Sequence, residues 1–450
     1  MLKTVSLEEI PYSPDSCQMF ERLRDLPGSA ILDSSYPYAQ TGRYDILVAD
    51  PTAGTPIPPV EGETAHWENY FDELGRFHQS RFEASQGVSP DLPFCGGLLG
   101  YLGYDLGNPL NRVSGSSGKY SGAGLYAYDW AVVQDHLLQR AVLATQPAVS
   151  RTQQSDLLRR LRSRRSTVPG GFRLQENFEA NMSDVQYREA FNRIQAYISA
   201  GDCYQVNLAQ RFEAGYEGDP WQAYRMLRQL AAAPFSGYLS LDNDDALMCL
   251  SPERFLSLHG SHVQTSPIKG TRPRYQDPAA DQLAAAELRR SEKDRAENLM
   301  IVDLLRNDLG RSCVPGSIYV DKLFEVQSFP TVHHLVSTIS GELAPERSAY
   351  QLLRDSFPGG SITGAPKRRA MEIIAELEPH PREAYCGSLM YISADGRMDS
   401  NIAIRSLLCS ESKIRCWGGG GIVADSQWQQ EYQETFDKVG KFLTALEGLS

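Results

Sequence analysis

The feature that most constrains the fold is a change of pattern near residue 181. Before about residue 145, short apolar runs such as residues 44–48 are separated by Pro and Gly clusters, which is typical of strands. After residue 181, long helical periodicities alternate with β-branched runs. Three long helices are predicted from their N-capping residues, beginning at Ser183, Ser291 and Ser426. The sequence therefore predicts a mixed α/β protein of the α+β type.

The composition is that of a globular protein with a large core. Of the 450 residues, 41% are hydrophobic and 22% are charged. The formal net charge of -12 argues against a nucleic-acid surface and against docking on anionic lipid, because both need a basic face. An anionic ligand would therefore need a local positive site.

The cysteines and the apolar segments indicate an intracellular setting. Eight cysteines are scattered without a Cys-x-x-Cys pair, so we expect reduced thiols. The first residues lack the apolar stretch of a signal peptide, and no window approaches the roughly 20 apolar residues of a membrane span. We expect a cytoplasmic protein with no membrane and no nucleic acid among its partners.

Two predicted helices each carry a pair of carboxylates. Asp294 and Glu297 lie three residues apart, as do Glu431 and Glu434, so each pair shares one helix face. Taken singly, such a pair is more often a solvated face. Apolar neighbours predict that both helices are largely buried, and two acidic faces that meet would offer Mg²⁺ the oxygen ligands it prefers.

Two glycine-rich segments could bind an anion. The run of glycines at 418–421 stands before the third predicted helix, where it is either an anion site made of backbone N–H groups or a flexible turn. Residues 358–367 form a loop that enters a helix, with Ser361 among its hydroxyls. Carboxylate is a better candidate than phosphate, because neither segment ends in Gly-Lys-Ser/Thr.

Three charged residues stand in apolar surroundings. Lys269 lies between Ile268 and Gly270 at the end of a predicted strand, where desolvation would lower its pKa and free the amine as a base or nucleophile. Glu253 could serve as a general acid, or it could form a salt bridge with Arg254. Arg405 ends an apolar strand and could pair with a carboxylate ligand. An ordinary surface charge remains the alternative for the lysine.

Eight segments, taken in order, resemble the chorismate-binding enzyme family: SPERF, PIKGT, DRAENLMIVDLLRND, VHHLVS, PGGSITGAPKRRAMEII, IRS, GGGGIVADS and EYQETFDKV. The resemblance is strong over residues 180–450 and looser before them. It implies twisted, mainly antiparallel sheets packed face to face, with helices outside, in two interleaved subdomains. We expect an N-terminal subdomain at 1–165 and a chorismate-binding catalytic domain at 166–450.

The resemblance also implies a reaction. Family members that make anthranilate typically carry Ala where this chain has Lys269, and the wider match is greatest to members that aminate chorismate at C4. Lys269 is therefore expected to add to C2 of chorismate while Glu253 protonates the leaving C4 hydroxyl, which gives 4-amino-4-deoxychorismate, a precursor of 4-aminobenzoate in folate biosynthesis. The alternatives are an isochorismate or salicylate synthase that uses the same lysine to activate water, and a non-catalytic amino-acid-binding regulator.

The family pattern assigns further residues by position. The implied Mg²⁺ ligands are Glu297 and Glu434, assisted by Asp294 and Glu431. The implied substrate-binding residues are Ser361, Tyr391, Arg405, Gly419, Gly420, Gly421 and His334. Ammonia is expected from a separate glutamine amidotransferase in a heterodimer, because the chain has no Gly-x-Cys-x-Gly nucleophile motif.

A second pocket is implied in the N-terminal part. The segment LDSSYPYAQTGRYDILVADP resembles one that lines a tryptophan effector pocket together with a later Pro-Phe-Ser. The residues concerned are Ser34, Thr41, Gly42, Arg43, Tyr44, Pro234, Phe235 and Ser236. Thr41 and Gly42 replace a Tyr-Ser pair of such relatives, and an ordinary core cleft is the alternative.

Overall fold

The computed structural model describes residues 4–39, 42–59, 64–82, 91–163, 170–329 and 332–449. The strands in these ranges, β1 to β22, are Ser6–Ile10, Ala30–Asp33, Tyr44–Val48, Gly97–Leu102, Ala123–Tyr128, Trp130–Asp135, Arg140–Thr145, Phe172–Leu174, Glu179–Ala180, Gln205–Gly218, Phe235–Ser240, Ala246–Ser251, Arg254–His259, His262–Ser266, Ile268–Pro273, Tyr319–Ser328, Val332–Glu342, Gly364–Ala365, Ser388–Ser393, Met398–Asn401, Ser406–Ser410 and Lys413–Ile422. The α-helices, α1 to α11, are Ser16–Phe20, Thr64–Phe82, Gly107–Leu110, Arg151–Arg162, Asp184–Ser199, Pro220–Ala231, Pro278–Arg290, Glu292–Gly310, Ala349–Ser356, Lys367–Leu377 and Trp428–Glu447.

The strands form two antiparallel sheets, as predicted. Within the described ranges the larger sheet has 13 strands in the order β1-β7-β6-β3-β2-β11-β12-β21-β22-β10-β18, with β8 and β9 also paired to β10. The smaller sheet has nine, in the order β15-β17-β14-β13-β20-β19-β4-β5, with β16 paired to β17.

Both sheets combine strands from before and after residue 165. In the larger sheet β2 pairs with β11, so that Asp33 lies opposite Ser236. In the smaller sheet β4 pairs with β19, so that Leu99 lies opposite Tyr391. Segments on either side of residue 165 are thus interleaved through shared sheets, while the division into functional subdomains at that residue stays a prediction.

Alternation along the strands builds two hydrophobic cores. Val48 of β3 packs in one core with Ala127 of β5, which joins the facing surfaces of the two sheets. Leu47, one residue earlier, points to the opposite side and packs in the second core, together with Trp221 of α6 and Val439 of α11. Successive residues of a strand face opposite sides, so the larger sheet is covered by the smaller sheet on one face and by helices on the other.

The predicted helix starts are confirmed in two of three cases. Ser183 forms the expected capping box at α5, and the Ser291 hydroxyl caps α8 by accepting from the Asp294 amide. The third prediction was wrong by one residue, because the N-cap of α11 is Gln427 and the helix begins at Trp428. Ser426 instead donates its hydroxyl to the Glu431 carboxylate at 2.7 Å, so it holds an acidic side chain rather than capping the helix.

All eight cysteines are buried free thiols, as expected. Among the described residues, none of the helices is both long enough and apolar enough to cross a bilayer.

A buried ion pair fixes α6 against β2. Arg228 and Asp33 are 2% and 0% exposed, and the guanidinium donates to both carboxylate oxygens, at 2.6 and 2.9 Å. Asp33→Asn is expected to lower the free energy of unfolding by about 3 kcal/mol, because the buried guanidinium then keeps only the partly exposed Asp15 carboxylate, at 3.1 Å, as a counter-charge. Asp25→Asn, which breaks an exposed pair with Arg160, should lower it by less than about 1 kcal/mol in the same equilibrium urea unfolding experiment. Equal losses of unfolding free energy in the two variants would contradict a stabilising role for the buried pair of Arg228 and Asp33.

Candidate active site

Lys269 and Glu253 meet at the loop that contains Ser361. Lys269 lies on β15, and its amine donates to the Ser361 carbonyl at 3.0 Å. Glu253 lies between β12 and β13 and is 5% exposed. Gly270, with φ of +79°, lets helix α8 approach, because a Cβ at this position would lie 2.9 Å from the Asp294 carboxylate. The structure therefore brings together the two residues that the sequence predicts to be catalytic.

Burial shifts the pKa of both groups towards their neutral forms. Burial lowers the pKa of the Lys269 amine, although the carboxylates of Glu297 and Glu253 oppose the shift. Burial likewise raises the pKa of Glu253, opposed by the Ser361 hydroxyl and by Lys269. Desolvation disfavours a charge of either sign, so burial increases the share of the unprotonated amine and of the protonated carboxyl group. That combination is a nucleophile beside a general acid.

The two acidic helices approach each other as predicted. Burial is the main cause of the raised pKa of both Glu297 and Glu431. The negative charge of Glu434 raises both pKa values further, so Glu434 of α11 lies near Glu297 of α8. Cationic side chains already balance part of this cluster. Lys438 pairs with Glu434 at 2.7 Å, and Arg272 pairs with Asp294 at 3.2 Å.

The donors fit a hard divalent cation. Within the described ranges, no three His, Cys, Asp or Glu side chains are already close enough together to hold a metal ion. However, one carboxylate oxygen of Glu431 is buried with no hydrogen-bond partner. The Glu297 carboxylate accepts no hydrogen bond and forms no ion pair within those ranges. A buried, unsatisfied oxygen on α11 and an unpaired, half-buried carboxylate on α8 suit Mg²⁺, which takes oxygen ligands and keeps water.

Of the two predictions for the glycine run, the flexible turn is wrong, because the run is part of a strand. Residues 418–421 belong to strand β22 and pair with β10, so they form neither a flexible turn nor the start of α11. At Gly420 a Cβ would lie 3.1 Å from a carboxylate oxygen of Glu431 and 3.3 Å from one of Glu434. Glycine thus allows the acidic face of α11 to lie against the strand. Binding of a ligand by the amides of Gly419, Gly420 and Gly421 stays a prediction.

Of three more predicted residues, His334 and Arg405 lie close enough for their charges to interact, while Tyr391 lies on β19. His334 of β17 shares a 2.9 Å hydrogen bond with Thr271, and burial, with the nearby Arg405 charge, lowers its pKa to about 3. Its ring is therefore neutral near pH 7. Within the described part of the chain, the Arg405 guanidinium has no hydrogen-bond or ion-pair partner, and Tyr391 has none for its hydroxyl. A guanidinium without a counter-charge is suited to a carboxylate ligand.

Two polar contacts of the site escaped the sequence analysis. The Lys438 amine donates to the Gly419 carbonyl at 2.6 Å, in addition to its ion pair with Glu434. A lysine four residues after a glutamate on one helix is a signal that could have revealed it. Asn207 of β10 donates to the Ser361 carbonyl at 3.2 Å, and no local pattern indicates this contact across 154 residues.

The predicted effector residues fall into two groups. Ser34, Gly42 and Ser236 lie together: a Cβ at Gly42 would be 2.2 Å from that of Ser34, and Ser236 pairs with the residue before Ser34. The Ser34 hydroxyl is buried and has no hydrogen-bond partner in the described part of the chain. Pro234 is half-buried beside them.

The other predicted effector residues are engaged elsewhere. Arg43 pairs with Asp135 at 2.7 Å and stacks on the ring of Tyr44. Phe235 lies under the Arg254 guanidinium. Thr41 lies outside the described residues. A tryptophan pocket therefore stays a prediction.

This fold and site define a class of protein. The family model for chorismate binding enzymes matches residues 34–444, which is most of the chain. The chain belongs to the chorismate-binding enzyme family.

Relatives with high identity to this chain carry a narrower name than the family. The chain is 46% identical to aminodeoxychorismate synthase component 1 of Salmonella typhimurium, over 99% of this chain and 100% of that protein. It is also 46% identical to the protein of the same name from Klebsiella aerogenes, over 97% and 98%. A crystal structure of anthranilate synthase component I from Streptococcus pneumoniae superposes with a TM-score of 0.75 at 29% identity, covering 90% of this chain and 92% of that chain.

Proposed function

We propose that this chain converts chorismate and ammonia into 4-amino-4-deoxychorismate, the precursor of 4-aminobenzoate in folate biosynthesis. The observation that carries the proposal is the half-buried Lys269 amine, held on the Ser361 loop beside the buried Glu253. Near-full-length identity to two proteins named aminodeoxychorismate synthase component 1 supports the choice of reaction. With glutamine as the ultimate nitrogen source, the reaction is a group transfer of the transaminase class.

The proposed chemistry proceeds through a covalent lysine adduct. The neutral Lys269 amine attacks C2 of chorismate, the two ring double bonds shift, and the C4–O bond breaks. Glu253 gives its proton to the departing hydroxyl, which leaves as water. Ammonia then attacks C4, the double bonds shift back and the Lys269–C2 bond breaks. Each step passes through one substitution, so a difficult displacement at C4 becomes two easier ones, and the configuration at C4 is retained.

The carboxylates of the substrate need positive or polar partners. Glu297 and Glu434, with Asp294 and Glu431, would hold Mg²⁺, which when bound supplies a positive charge that clamps a substrate carboxylate. Arg405 is suited to the other carboxylate because its half-buried guanidinium has no counter-charge among the described residues. The remaining candidates for contacts with chorismate are Ser361, His334, Tyr391, Gly419, Gly420 and Gly421.

Ammonia is proposed to come from a second protein. The relatives are named as component 1, which implies a partner component for those proteins. We propose a glutamine amidotransferase as the partner of this chain in a heterodimer. A cytoplasmic location and tryptophan binding near Ser34 stay predictions.

The nitrogen donor tests this function. The purified chain with chorismate and Mg²⁺ should form an aminated product with ammonium salts at mildly alkaline pH, and none with glutamine alone. Formation of isochorismate or salicylate without ammonium would instead make Lys269 a base that activates water. A chain that leaves chorismate unchanged with ammonium, with glutamine alone and with neither, but binds amino acids, would be the regulator.

A further inference from the structure

The chain passes between the two sheets twice at the same place. Strand β12 of the larger sheet is followed by β13 of the smaller sheet after only Pro252 and Glu253. Strand β20 of the smaller sheet is followed by β21 of the larger sheet after residues 402–405. Because β12 pairs with β21 and β13 pairs with β20, the two crossovers lie side by side. Glu253 is in one crossover and Arg405 is in the other.

Hydrogen bonds join the two crossovers. The Ser251 hydroxyl donates to the Ile402 carbonyl at 2.6 Å and accepts from the Glu253 amide at 3.1 Å, so one side chain contacts both segments. The Ile402 amide donates to the Glu253 carbonyl at 3.0 Å, and the Leu250 amide donates to the Arg405 carbonyl at 3.1 Å. Ser251 is completely buried, so no water competes for these bonds.

The second crossover has a reason to need such support. Arg405 has a φ of +53°, a left-handed conformation that is strained for a non-glycine residue. A strained backbone persists only where its surroundings hold it. The side chain of Asn401, at the start of this crossover, adds to the support. Its Nδ2 group donates to the Phe235 backbone carbonyl at 2.8 Å, and its Oδ1 atom accepts from the Leu389 backbone amide at 2.8 Å.

We propose that Ser251 is a positioning residue, whose hydroxyl sets the acid Glu253 and the carboxylate-binding Arg405 at a fixed distance across the paired crossovers. The inference rests on the proposed function, because it takes those two roles from it. Ser251 does not touch the substrate itself. Loss of its hydroxyl leaves the Glu253 amide and the Ile402 carbonyl to move apart, which displaces the acid relative to the bound ring.

Ser400 provides a matched control. Its hydroxyl is also buried, and it also bridges β20 and β13, donating to the Leu256 carbonyl at 2.9 Å and accepting from the Leu256 amide at 3.1 Å. It lies outside the crossovers. Ser251→Ala and Ser400→Ala should therefore lower the melting temperature by similar amounts, while only Ser251→Ala disturbs the distance between Glu253 and Arg405.

The test is amination of chorismate with ammonium as the donor, with kcat and KM measured separately. Ser251→Ala is expected to lower kcat/KM for chorismate about 10- to 100-fold, mostly through kcat, since small displacements of catalytic groups are that costly. Ser400→Ala should stay within about twofold of the wild type. Ser251→Cys, which keeps a weaker donor of similar size, should fall between serine and alanine.

Three outcomes are distinguishable. Kinetics of Ser251→Ala within about twofold of Ser400→Ala would overturn the positioning role. If Ser251→Ala does not fold, full activity of Ser251→Cys would overturn it as well, and an intermediate value would support it. A wild-type chain that makes no aminated product would instead contradict the proposed function on which the inference rests.

Discussion

Lys269→Ala is expected to abolish amination, with a loss in kcat of at least about 10³-fold, as found when nucleophiles of covalent catalysts are removed. The methyl group of alanine has no lone pair to add to C2, so no adduct can form. Intact-mass measurement of the enzyme quenched during turnover should show an adduct on the wild type and none on the variant. Lys322→Ala removes an exposed lysine whose ion-pair partner among the described residues is Glu325. This variant should behave as the wild type.

Oxygen exchange gives an independent check of the same step. If the adduct forms reversibly with loss of the C4 hydroxyl, chorismate should take up ¹⁸O from labelled water at C4 in the absence of ammonium. Lys269→Ala should show no such exchange. Exchange at the wild-type rate in the variant would exclude Lys269 as the nucleophile.

Glu434→Ala is expected to lose most of the Mg²⁺-dependent activity, by at least about 10²-fold at a Mg²⁺ concentration that saturates the wild type. Glu434 lies where the acidic faces of α8 and α11 meet, close to both Glu297 and Glu431. Its loss removes a charged oxygen ligand, so titration calorimetry should also show weaker Mg²⁺ binding.

A matched variant separates this effect from a general change in charge. Glu372→Ala removes a half-buried glutamate on α10 that pairs with Arg369, away from the acidic faces. It should leave both activity and Mg²⁺ affinity within about twofold of the wild type. Unchanged turnover and unchanged Mg²⁺ binding in Glu434→Ala would exclude a metal role for Glu434.

Local sequence was sufficient wherever a structure depends on neighbouring residues. The capping boxes at Ser183 and the cap at Ser291 depend on side chains within three residues, and both are present. The short apolar run at residues 44–48 correctly indicated a strand. The pairing of carboxylates on single helix faces, Glu431 with Glu434 for instance, likewise follows from a spacing of three residues.

Structures that depend on distant partners were less predictable. The glycines at 418–421 look like a turn, but their pairing with β10, about 210 residues earlier in the chain, makes them a strand. The start of α11 was misplaced because Ser426 bonds to Glu431, and a helix cap and a carboxylate partner look alike in sequence. The Lys269 amine donates to the Ser361 carbonyl, 92 residues away in the chain. Sequence spacing alone could not show this contact, so the environment of Lys269 stayed open.

The measurement that tests the central claim most directly is the position of nitrogen in the product. The chain is incubated with chorismate, Mg²⁺ and ¹⁵N-ammonium, and the product is analysed by ¹³C–¹⁵N coupling in NMR spectra. The proposed mechanism predicts nitrogen bonded to C4, with the ring carboxylate and the enolpyruvyl ether retained. Nitrogen bonded to C2, or a product that contains no nitrogen, would contradict it.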